Sequence, residues 1–149
     1  MNNHPYLRAY LAGVFIPTLL FPVLITVLLA AKLVTTEPIP VERIVIFPLA
    51  FAPACWGFWN VLWVALRRFS HVPLGLHGAI LPFLLMPMGT VLAKCLGVIT
   101  LGAHSVTWFQ AVEIPYALIA CGFAFALVVY YLVWKYIIGF VNRVLGVAW

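Results

Sequence analysis

Four long apolar runs divide the chain, each bounded by charged residues. No charge falls within residues 9–31, between Arg8 and Lys32, or within 44–66, between Arg43 and Arg67. The same holds for 69–93, between Arg68 and Lys94, and for 114–134, between Glu113 and Lys135. A bilayer core about 30 Å thick takes roughly 20 apolar residues at a rise of about 1.5 Å each. The pattern therefore predicts membrane-spanning helices over about 10–32, 44–66, 75–94 and 114–135. Glu113 is expected to open the fourth, with Pro115 in its first turn, where an acid suits the positive end of the helix dipole.

The interval 95–112 is uncharged but too broken for a span. Gly97, Gly102, His104, Ser105, Thr107 and Gln110 interrupt it. It is predicted to finish the third helix and then form an outer loop or short interfacial helix over about 97–112, with Trp108 at headgroup level. A re-entrant loop is the alternative, and its backbone would need protein or water around it. The tail, 137–149, either continues the last helix or lies along the membrane surface.

These elements predict an all-α integral membrane protein: a bundle of four transmembrane helices in a single domain, 1–149. The first run is longer than the roughly 7–15 residues of a signal h-region, so it is expected to remain as a span. The connection 35–42 (TTEPIPVE) is short, which makes the first two helices antiparallel neighbours. Prolines recur in pairs five apart, Pro17/Pro22, Pro48/Pro53 and Pro82/Pro87. Each removes a backbone donor and crowds the preceding turn, so helices one to three are expected to be kinked.

Charge sets the expected orientation. The N-terminus, the second connection and the C-terminus would share a side carrying Arg8, Arg67, Arg68, Lys135 and Arg143. The opposite side would carry Lys32, Arg43, Lys94 and all three glutamates. The excess of basic residues, and the compact Arg67–Arg68 pair above all, predicts that both termini are cytoplasmic. A bacterial inner membrane is the expected location. The net charge of +5 comes from residues dispersed at span ends, so orientation explains it better than nucleic acid does. With 66% hydrophobic and 7% charged residues, lipid is the solvent for most of the surface.

The second run, VIFPLAFAPACWGFWNVLWVALRR, carries the most legible surface. Trp56, Trp59, Asn60 and Trp63 recur at helical spacing on one stripe. Ala50, Ala54 and Gly57 form a second stripe of small residues, which lets a neighbouring helix approach closely. Asn60 is the one carboxamide deep within a predicted span, and hydrocarbon satisfies none of its donors or acceptors. It is expected to bond another helix, with Thr18 the candidate partner, or else to contact a ligand. The tryptophans fit interfacial anchoring or bundle packing more simply than an aromatic cofactor box. On helix four, Ala117, Ala120, Cys121 and Ala124 form a further close-packing face.

Chemistry-bearing groups are few. The chain has no aspartate, and Glu37, Glu42 and Glu113 fall at span ends. A proton-coupled carrier needs an intramembrane carboxylate or histidine, which argues against the small multidrug type of exporter. Lys94 and Glu113 are a candidate outer ion pair. Cys55, Cys95 and Cys121 make no C-x-x-C, against both a zinc site and a four-helix thiol oxidoreductase. The four histidines lack the matched depths of a haem pair, and no metal site is expected. No phosphate loop or nucleotide fingerprint is present.

The leading expectation is a non-enzymatic accessory or assembly subunit, or a self-associating bundle, whose partners are lipid and other membrane helices. A small-solute transporter or channel with a site near Asn60 is the alternative. Binding of a quinone, lipid or pigment against the tryptophans is the second, no other cofactor being predicted.

Overall fold

The computed structural model describes residues 4–34, 50–110 and 112–147. The described residues are mostly helical, with one small sheet among them. Helix α1 spans Pro5–Val34, α2 Phe51–Leu66 and α3 Leu74–Cys95. Three short strands follow, β1 Ile99–Leu101, β2 Ser105–Trp108 and β3 Val112–Pro115. Helix α4 spans Tyr116–Leu132, passes through a π-helical turn at Val133–Ile138 and continues as α5, Gly139–Val144.

Three of these helices are long and apolar enough to cross a membrane: Pro5–Val34, Leu74–Cys95 and Tyr116–Val144. The expected second span is described from Phe51 on, as a 16-residue apolar helix. Its predicted beginning, 44–49, lies outside the described residues, as do Glu37, Glu42, Arg43 and Pro48. Large apolar side chains lie open along the spans, among them Leu19, Leu20, Val23 and Val27 of α1 and Leu118, Phe125 and Val128 of α4. Such a surface is stable against hydrocarbon and not against water.

Prolines lie inside the helices without ending them. α1 runs through Pro17 and Pro22, and α3 through Pro82 and Pro87, without a break in the helix. Pro53 stands in the first turn of α2, where the backbone N–H it lacks would have had no helical partner.

The segment 97–112 corrects the all-α expectation. It is neither a loop nor an interfacial helix but most of a three-stranded antiparallel sheet, ordered β1-β2-β3. Gly97 ends α3 at φ 67°, so that Gly97 N–H reaches the Lys94 carbonyl (3.1 Å) and Val98 N–H the Ala93 carbonyl (2.8 Å). A left-handed glycine is the usual way to close a helix with these two bonds. Beyond it, Ile99-Thr100-Leu101 and Ser105-Val106-Thr107-Trp108 alternate apolar and polar with a period of two, the strand pattern. Ile99 pairs with Trp108, and Trp108 with Val112. Ile99 and Val106 are buried, and Trp108 is half-buried in the ladder.

Glu113 accordingly lies in β3 and does not open the fourth helix, and Pro115 is the N-cap residue of α4. Of the two courses expected for the tail, the structure shows the first. Residues 137–144 continue the last helix, which closes at Gly146 (φ 66°) with bonds to the carbonyls of Arg143 (3.0 Å) and Asn142 (2.8 Å).

The described residues fall into two compact units, Met1–Leu74 with Tyr136–Trp149, and Gly75–Lys135. In the second, Trp134 is fully buried. A Cβ on Gly78 would run into the Trp134 ring, and His77, also buried, meets that ring edge-on at 6.1 Å. Lys135 lies with its ammonium 5.4 Å from the centre of the Tyr131 ring, a cation–π distance.

In the first unit, α1 and α2 pack through their smallest residues. Ala9, Ala12 and Gly13 are buried at i, i+3 and i+4 on α1, and Gly57 is buried on α2. A Cβ on Gly13 would clash with the Trp56 carbonyl and lie 2.8 Å from the Gly57 Cα. The two backbones are thus in direct contact, which small residues permit.

Candidate functional site

Asn60 occupies the middle of that crossing and is fully buried, with 0% of its surface exposed. One Nδ2–H donates to the Ala9 carbonyl of α1 at 2.7 Å. The other donates to Asn142 Oδ1 of α5 at 2.8 Å. Asn142 Nδ2 returns a bond to Asn60 Oδ1 at 3.2 Å. The two carboxamides close a reciprocal ring, and both Asn60 donors and its oxygen are engaged. Three helices are clasped at one point through polar groups whose desolvation these bonds offset.

Thr18 is not part of this clasp, contrary to its candidacy as the partner of Asn60. Its hydroxyl turns back on its own helix to the carbonyls of Val14 and Phe15, both at 2.9 Å, and the residue is exposed. Threonine in a helix commonly bonds the carbonyl one turn earlier. Ala9, more than two turns from Thr18, is the residue level with Asn60. Thr18→Val is expected to change stability by less than about 0.5 kcal/mol, as exposed substitutions usually do, measured by denaturant titration in detergent.

The tryptophan stripe divides. Trp56 and Trp63 are buried beside Asn60, and Trp59 is half-buried. Trp63 Nε1–H donates to the Val72 carbonyl at 3.2 Å, which ties the segment after α2 back onto the helix. The Arg67 guanidinium lies over the Trp63 ring at 5.2 Å, and Arg68 next to it is exposed. Of the small-residue stripe, Gly57 is buried in the crossing, Ala54 is half-buried and Ala50 is exposed.

The other candidate residues are dispersed. Ala117, Ala120, Cys121 and Ala124 are all exposed along α4, and a Cβ on Gly122 would meet nothing within 4 Å. Lys94 is exposed at the end of α3. Glu113 accepts a hydrogen bond from the Ser105 hydroxyl across β2 and β3, the partner it has in place of Lys94. Tyr116 Oη donates to the Gly102 carbonyl at 2.9 Å and anchors the same turn. Cys55, Cys95 and Cys121 are free thiols. Among the described residues, no group of three or more His, Cys, Asp or Glu is placed to hold a metal ion.

Asn142 is the site residue that the sequence reading misses. Its signal was present: Trp134, Ile138, Gly139 and Asn142 are spaced for one helix face, and all four are buried. Ending the last span at Lys135 concealed it.

Comparison of the chain with protein-family models, curated proteins and solved structures gives no match.

Proposed function

We propose that the protein is a non-enzymatic membrane subunit that works by helix association, with itself or with another membrane protein, through α4. The observation that carries this reading is α4 itself, a 17-residue apolar helix with no buried residue. Its Ala117, Ala120, Cys121 and Ala124 face stands open beside Gly122. Small residues at helical spacing let a second backbone come close, and dispersion and weak Cα–H bonds then favour association in lipid.

In this reading the chain crosses the membrane four times, with both termini cytoplasmic. The contact of Arg8 Nη1 with the Leu145 carbonyl at 3.4 Å supports placing the two chain ends on one side. The saturated bonding of Asn60 supports a structural role for that residue over solute binding at it.

The test is native mass spectrometry after gentle extraction, combined with crosslinking through Cys121. A defined oligomer or a stoichiometric protein partner is expected, with a Cys121 crosslink, and Ala120→Leu with Ala124→Leu is expected to abolish it. A stable monomer with no co-purifying protein sinks the proposal.

A further inference from the structure

The end of the first unit where Arg8 meets Leu145 carries a concentration of arginine. The clasp of Ala9, Asn60 and Asn142 fixes which residues gather there. Arg8 precedes Ala9, and Arg143 follows Asn142. Arg67 lies seven residues beyond Asn60, about 10 Å up the helix at 1.5 Å per residue, with Arg68 next to it. The only acidic residues of the chain are Glu37, Glu42 and Glu113. None falls among the described residues of this unit, 4–34, 50–74 and 136–147.

The Arg8 and Arg67 guanidiniums are held in place. Arg8 Nη1 donates to the Leu145 carbonyl at 3.4 Å, and Arg67 stacks over Trp63, which is fixed by its bond to Val72. A planar guanidinium matches two phosphate oxygens at once, and holding it beforehand lowers the ordering cost of binding. The N-terminus of the 30-residue α1 opens at the same end and adds the positive pole of its dipole. Apolar side chains surround the arginines: Leu7, Leu66, Phe140 and Val144 are exposed, and Phe69 is 87% exposed. Charge beside open hydrocarbon is the composition of the boundary between lipid headgroups and acyl chains.

We propose that this end is a binding site for the phosphate of an anionic phospholipid, with Arg8, Arg67, Arg68 and Arg143 supplying the charge and the apolar residues receiving the acyl chains. A zwitterionic headgroup brings its own cation to an already cationic surface and is disfavoured. The site selects net negative charge and does not depend on association through α4.

The full chain is tested in mixed micelles of equal phosphatidylglycerol and phosphatidylcholine by native mass spectrometry, which counts each retained lipid. The wild type is expected to enrich phosphatidylglycerol. Arg67→Gln with Arg68→Gln, and separately Arg8→Gln, are expected to lower that enrichment, by up to about fivefold per arginine removed. Lys32→Gln, at the other end of α1, is expected to leave it unchanged. Helicity measured by circular dichroism on the same samples identifies any variant that has merely unfolded, and the exposed Arg68→Gln then decides the matter. Equal retention of the two lipids overturns the proposal, as does enrichment that survives in folded arginine variants. Displacement of the lipid by millimolar inorganic phosphate overturns the lipid assignment in favour of a soluble anion.

Discussion

Gly13→Ala is expected to destabilise the protein by about 2–3 kcal/mol, the upper part of the range for overpacking a tight contact. The added methyl would meet the Trp56 carbonyl and lie 2.8 Å from the Gly57 Cα, both backbone atoms of α2. Backbone cannot turn aside as a side chain can, so the α1–α2 crossing must open or the helices must slide. Gly57→Ala is the informative comparison. Its methyl meets the Tyr10 ring and Val14 Cγ1, the latter at 2.8 Å, and both are side chains. Tyr10 rests edge-on against Phe58 at 5.3 Å, on an open flank where a ring can shift. A loss of about 1 kcal/mol is expected there. Gly122→Ala is the control, since nothing lies within 4 Å of its added methyl and alanine is the better helix former by up to about 1 kcal/mol. Denaturant titration in detergent, followed by tryptophan fluorescence, ranks the three. If Gly13→Ala proves as mild as Gly122→Ala, the two backbones do not touch.

That crossing also shows why the sequence was readable in some places and opaque in others. Predicted bounds of 75–94 for the third span lie within one residue of helix Leu74–Cys95, because hydrocarbon fixes both length and composition over such a run. Asn60 stood out because a carboxamide is conspicuous in an apolar run, and its burial follows from that cost. Its partner did not stand out. Lys135 looked like the end of a span, although a lysine can keep its ammonium near a Tyr131 ring while the helix continues past it. The π-helical turn at Val133–Ile138 has no sequence signal at all, being a change of one residue in register.

The sheet was concealed for a different reason. Its strands are three or four residues long, and hydropathy over a span-length window averages them away. The turn between β2 and β3 also lacks the usual signature. Phe109 and Gln110 take positive φ, 51° and 62°, where glycine or asparagine would normally announce a reversal. Pairing across the ladder holds a conformation that local preference alone would not select.

Replacing Asn60 by leucine is expected to cost about 2 kcal/mol, and replacing Asn142 as well is expected to restore most of it. The single change leaves the Asn142 carboxamide buried with its reciprocal partner gone, a penalty of about 1–3 kcal/mol. The Ala9 carbonyl suffers less, since it lies within α1 and keeps its place in the helical ladder. Leucine keeps the branched outline of asparagine but is bulkier, so no cavity is left and a modest overpacking term adds to the effect. With both asparagines replaced, no polar group is orphaned, and an apolar pair of similar shape can be nearly neutral. The cycle of wild type, two single variants and the double variant isolates the coupling between the residues. A purely structural clasp predicts strong coupling and a double variant of near-native stability that still associates through α4. If each substitution instead costs little and the two effects simply add, the carboxamides are not bonded to each other. Asn60 would then again be a polar group inside the protein in need of another partner, and ligand binding at it would return as the reading to test.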